Sequence, residues 1–94
     1  MTSPSRKLLK RTNRFARDLK PLPDSVKSEA FDAALKLCET IFHRDLNVRP
    51  LTGFKGYFRV VIANDYRMIF TFDDDALYLH RIAHRKDIYR RLEL

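Results

Sequence analysis

Apolar positions along the chain change their spacing near residue 50. Before it they follow helical spacing: Phe15, Ala16 and Leu19 do so over Thr12–Lys20, with Thr12 placed as an N-cap and Pro21 and Pro23 as a stop. Asp24 or Ser25 can cap a second, longer helix running to about His43. Its main stripe is Val26, Ala30, Ala33, Leu37 and Ile41. Phe31, Ala34, Leu35, Cys38 and Phe42 widen it, which predicts a helix packed on a sheet and on the first helix at once.

Beyond Gly53 and Gly56, the only glycines, come three segments rich in β-branched and aromatic residues: Tyr57–Ala63, Tyr66–Phe72 and Ala76–Ala83. Asn64–Asp65 and Asp73–Asp75 separate them and are short enough for hairpins, so an antiparallel three-strand meander is expected. Arg85–Leu94 places Ile88, Tyr89 and Leu92 at helical spacing, predicting a short helix or a docked tail. The N-terminus reads two ways. Leu8, Thr12, Phe15 and Leu19 fit one long helix opened by Ser3–Pro4, whereas Lys7–Arg11 also fits a short strand.

Size limits what these elements can build. Ninety-four residues make one domain, 1–94, with one modest core and no room for a second catalytic domain. Charge narrows the partners: a net +7 and a pI near 9.9 favour a polyanion, whether nucleic acid, an anionic membrane surface or an acidic protein. The excess is uneven, with a net +6 in residues 1–20, −2 in 21–79 and +3 in 80–94. Cys38 is the only cysteine, so an intramolecular disulfide and a Cys-based zinc finger are excluded; its apolar helical neighbours predict a buried side chain. Apolar runs such as Val60–Ala63 are far too short for a membrane span. The basic, acid-poor start lacks the apolar stretch of a secretory signal, and removing it as a transit peptide would shorten an already small chain. A cytoplasmic protein is expected.

Strand alternation places Tyr57, Arg59 and Val61 on one face of the first meander strand, and Arg67, Ile69 and Thr71 on one face of the second. His84, Arg85, Lys86 and Tyr89 follow the third strand. Such a set suits RNA cleavage without a metal. Guanidiniums answer the charge that builds on phosphorus as the ribose 2′-oxygen attacks, and His and Tyr can carry the protons. Plainer readings compete with it. Arg59 and Arg67 can be solvated strand residues paired with Asp73–Asp75. His80 and His84 lie four apart in a strand-like segment without a third ligand, so no metal and no cofactor is expected. His43 suits a helix C-terminus, and Tyr78 and the phenylalanines suit a core better than a base-stacking platform.

Three passages shift the balance: KRTNRFARDLKPLP, then RPLTGFKGYFRVVIANDYRMIF, then LYLHRIAHRKDIYRRLE. In this order they resemble the RelE/ParE superfamily of type II toxin–antitoxin toxins, and its RelE-like branch in particular, over nearly the whole chain. The resemblance implies a compact α+β fold: a short N-terminal strand at about Lys7–Arg11, a two-helix hairpin on an antiparallel sheet, the C-terminal meander and a short helix or tail. It implies a ribosome-dependent mRNA endonuclease that inhibits translation, neutralised by a cognate antitoxin with an acidic, partly disordered segment. Arg67 and Arg85 would stabilise the phosphorane, Tyr89 or His84 would handle protons, and Arg59, Lys86, Lys55 and Arg81 would hold substrate. A lysine common two residues after the first basic position is Val61 here, and a common glycine is Ala83. Two alternatives are a ParE-type toxin that inhibits DNA gyrase by binding and a catalytically inactive family member.

Overall fold

The structure, a computed structural model, describes residues 6–94; a helix opening at Ser3–Pro4 and the reading of the first residues as a leader lie outside them. Strand β1 (Leu8–Arg11) is followed by helices α1 (Asn13–Leu19) and α2 (Asp24–Glu39), then strands β2 (Val48–Pro50), β3 (Phe58–Ile62), β4 (Tyr66–Phe72) and β5 (Ala76–His84). The five strands form one sheet in the order β1-β5-β4-β3-β2. The meander is where the pattern puts it, and Leu8–Arg11 forms the short strand that the resemblance implies instead of extending α1 into one long helix. The sheet is mixed rather than antiparallel, because β1 runs parallel to β5, with Leu8 opposite Ala76 and Arg11 opposite Leu79. Two helices lie between β1 and β2, so the chain crosses from one sheet edge to the other before the meander returns to meet β1.

Local chemistry explains the element ends. Thr12 caps α1 by accepting the Phe15 N–H at 3.0 Å, and its hydroxyl meets the His80 carbonyl at 3.2 Å, tying the helix to β5. Neither Asp24 nor Ser25 caps α2. Pro23 takes that place, and its carbonyl accepts the N–H groups of Val26 and Lys27, while Asp24 lies in the first turn where a negative charge suits the helix dipole. Helix α2 ends at Glu39, short of His43, because Thr40 turns extended (φ −152°, ψ 117°). Leaving the helix brings Phe42 edge-on to Phe58, 5.9 Å between ring centres.

The helices cover one face of the sheet. Phe15, Ala30, Ala34, Leu37 and Cys38 pack there against Val60, Ile62, Met68, Phe70, Leu77 and Ile82. Burial pushes the Cys38 thiol pKa up, as for an inert core cysteine. Continuous packing through β5 depends on a bulge: Phe70 pairs with Leu79 but Ile69 pairs with Arg81, leaving His80 as the extra residue and returning Ile82 to the core.

The opposite face carries a smaller cluster of Leu51, Ile69 and Ile88, flanked by Phe54, Tyr57, Ala83 and Leu92. Residues 85–91 form turns instead of the helix their spacing allows, 92–94 follow without regular structure, and the segment docks as a tail. Only the Ile88 N–H, donating to the His84 carbonyl, bonds four residues back; the N–H groups of Asp87 and Arg90 donate three residues back, to His84 and Asp87, so no helical ladder forms. Ile88, fully buried, anchors this tail. The loop before β3 needs its glycines for backbone conformation alone: Gly53 and Gly56 have φ of 87° and 84°, with no atom within 4 Å of a Cβ added at either.

Candidate active site

The tail and the 51–57 loop leave one end of the second face uncovered. Pairing there sets Arg49 of β2 directly opposite Arg59 of β3, and Val61 opposite Arg67 of β4. A groove of about 500 Å³ opens beside the first pair, lined by Arg49, Pro50, Leu51, Thr52, Arg59 and Tyr89. Ile88 fixes the position of Tyr89, its neighbour, a residue that stays 49% exposed at the groove. Two guanidiniums, a phenol and the Thr52 hydroxyl therefore surround one space, and the arrangement suits an anion.

Arg67 and Arg85 gather at the neighbouring β3–β4 turn, where Ala63 and Asn64 both take positive φ. Arg67 Nη1 donates to the carbonyls of Asn64 and Tyr66, each at 2.9 Å. Both bonds use the same nitrogen, so Nε and Nη2 keep their donor capacity. The backbone N–H of Arg85 donates to the Asp65 carbonyl at 2.8 Å, and its guanidinium lies 3.8 Å from the Asp65 carboxylate. Neither Arg59 nor Arg67 pairs with Asp73–Asp75. Asp73 instead closes its own hairpin by accepting the N–H groups of Asp75 and Ala76, bonds that hold its carboxyl pKa below the usual value.

The other expected residues are dispersed. His84 ends β5 in line with Ile82, so its ring lies on the helix side of the sheet, edge-on to Tyr66 with 5.4 Å between ring centres. Its Nδ1 accepts the Lys86 N–H at 3.1 Å, which leaves the proton of the neutral ring on Nε2. Arg81 is committed to the fold: its Nε lies 2.6 Å from Asp18 Oδ2 in a pair whose side chains are 13% and 15% exposed. Asp18 also accepts the Ile82 N–H at 3.2 Å. Lys86 and Lys55 are exposed, and neither lines the groove.

Two residues of this face escape the sequence reading. Arg49 sits on a three-residue strand too short to show alternation; its position just before Pro50, in a stretch leading to the meander, was the available signal. His80 alternates with the core residues Leu77 and Leu79 and so points to the same side; its ring lies 5.0 Å from that of Tyr57, its Nε2 is 2.8 Å from Thr71 Oγ1, and burial holds its pKa below the usual value. Among the described residues no cluster of three or more His, Cys, Asp or Glu could hold a metal ion, and no helix is long and apolar enough to cross a membrane.

Residues 9–89 match the family of ParE toxins of type II toxin–antitoxin (ParDE) systems. The chain belongs to this toxin family. It is also similar to Toxin RelE3 of Methanocaldococcus jannaschii, 26% identical over 78 residues that cover 80% of this chain and 86% of that one. Among solved structures, the toxin resembles a chain of the RelB–RelE antitoxin–toxin complex from Methanococcus jannaschii, with a TM-score of 0.74 and 20% identity over 89% of this chain and 99% of that one. It also resembles one from the RelBE2 toxin–antitoxin complex of Mycobacterium tuberculosis, with a TM-score of 0.73 and 22% identity over 93% and 100% of the two chains. YafQ from E. coli matches with a TM-score of 0.69 and 18% identity over 88% and 98%. This is a RelE/ParE superfamily toxin with the superfamily's compact α+β fold.

Proposed function

We propose that this toxin inhibits translation as a ribosome-dependent mRNA endonuclease, acting in the cytoplasm without a metal or cofactor. The supporting observation is the convergence of Arg59 and Tyr89 on one cationic groove, on the same sheet face as Arg67. In the reaction, the ribose 2′-oxygen gives its proton to a base and bonds to the adjacent phosphorus. The bond from phosphorus to the 5′-oxygen breaks, and an acid protonates that oxygen, leaving a 2′,3′-cyclic phosphate and a 5′-hydroxyl. Arg59 holds phosphate, and Arg67 and Arg85 stabilise the phosphorane through charge-assisted hydrogen bonds. Tyr89 is better placed than His84 to carry protons, since the His84 ring packs on Tyr66 across the sheet. Lys55 and Lys86 contribute long-range attraction from the rim, while Arg81 acts through the fold. A site this shallow relies on the ribosome to position the RNA.

The partner that restrains the toxin is a cognate antitoxin with an acidic segment that orders on binding. Similar structures come from toxin–antitoxin complexes, and the net +7 suits an acidic cover. Primer extension on mRNA after brief induction tests the function. In-frame cuts are expected with the wild type and none with the Arg67→Ala/Arg85→Ala double variant; equal cleavage by both would refute the site. Two observations favour a second reading. Arg67 and Arg85 are held by the turn they border, and the matched family is that of ParE toxins, so a toxin that binds DNA gyrase would show DNA breaks with intact mRNA.

A further inference from the structure

The opposition of Arg49 and Arg59 carries a cost with no visible return inside the fold. Like charges directly across a strand pair destabilise it. Among the described residues neither guanidinium has a carboxylate partner. Arg59 Nη1 makes one long bond, 3.4 Å, to the Asn47 carbonyl. Val61 leaves β3 with a single cation on this face, so the second comes from the neighbouring strand. Pro50, lacking an N–H, also blunts the outer edge of β2 against pairing with a further strand. The two side chains therefore face an open groove with their donors largely unspent.

We infer that Arg49 and Arg59 form a two-cation clamp for a phosphodiester of single-stranded RNA, with the edge strand supplying the second cation. Two residues directly opposite have Cβ atoms roughly 5 Å apart. Two planar forks at that separation can grip different oxygens of one phosphate, and its charge cancels the repulsion between them. Thr52 and Tyr89 offer further hydroxyls on the same groove. The clamp rests on the RNA-cleaving reading for its ligand but not for its chemistry, which requires only a phosphate.

Thermal unfolding of the whole toxin at low ionic strength tests it, with inorganic phosphate compared with chloride at equal ionic strength. The variants are Arg49→Gln and Arg49→Lys. Arg49→Gln is expected to unfold at a higher temperature than the wild type without phosphate, and to lose most of the further rise that phosphate gives. Arg49→Lys keeps the charge and should retain part of that rise. Titration with a 2′-O-methyl RNA oligonucleotide, which cannot be cut, should show the slope of log affinity against log salt falling by about 0.7 in Arg49→Gln. Equal phosphate-induced shifts in the wild type and Arg49→Gln would overturn the clamp. Neither measurement reads cleavage, so an intact clamp in a toxin that leaves mRNA whole would refute the nuclease reading and spare the clamp.

Discussion

The two faces of one sheet are built on opposite terms. On the helix side, apolar residues from β3, β4 and β5 close against α1 and α2, and the half-buried pair of Arg81 and Asp18 ties α1 to β5. On the other side, a small apolar cluster anchors a loop and a tail, and beyond it Arg49, Arg59 and Tyr89 border a groove. The first face spends its residues on stability, whereas the second tolerates repulsion between neighbouring strands. Where a small domain keeps an arrangement that costs stability, its residues are candidates for binding.

If this division holds, substitutions on the helix side should change stability most. Phe70→Ala, at a fully buried ring in the centre of the sheet, is expected to cost about 3–5 kcal/mol in urea unfolding. Asp18→Ala strips Arg81 of its partner and Ile82 N–H of an acceptor; a loss of about 3 kcal/mol is expected. A loss of RNA affinity in that variant without a loss of stability would move Arg81 to the binding surface. Thr12→Ala removes the α1 cap and its link to β5, for about 1 kcal/mol.

The smallest effect sharpens the boundary between the faces. Burial lowers the pKa of His80, so the folded state disfavours its proton. Its contribution should be constant above the ordinary histidine pKa of 6.5, and stability should be lost as pH falls below that value toward the depressed folded one. His80→Gln should flatten the melting temperature against pH between about 7 and 5. An unchanged slope would show that His80 titrates as in the unfolded chain.

Much of the helix-side architecture is legible in the sequence, because burial imposes periodicity. Val26, Ala30, Ala33 and Leu37 mark α2, and the segments around Met68 and Leu77 mark the central strands. The open face is less legible. Its strand β2 has three residues, and only the pairing with β3 reveals that Arg49 meets Arg59. The side of the sheet on which His84 falls depends on a bulge, since one extra residue reverses alternation along β5. Tail spacing fits a helix, yet the bonds from Asp87 and Arg90 reach only three residues back, and the segment closes as a chain of turns. Arg59, Arg67, Arg85 and Tyr89 were readable as a set through resemblance, while their division between a groove and a turn required the fold.

The central claim is that the open face serves RNA cleavage and not stability. Arg59→Gln tests it most directly when primer extension on cellular mRNA after brief induction is paired with the melting temperature of the same purified variant. The account predicts loss of the mRNA cuts with a melting temperature equal to or above that of the wild type. Undiminished cuts, or cuts lost only together with a fall in melting temperature, would contradict it.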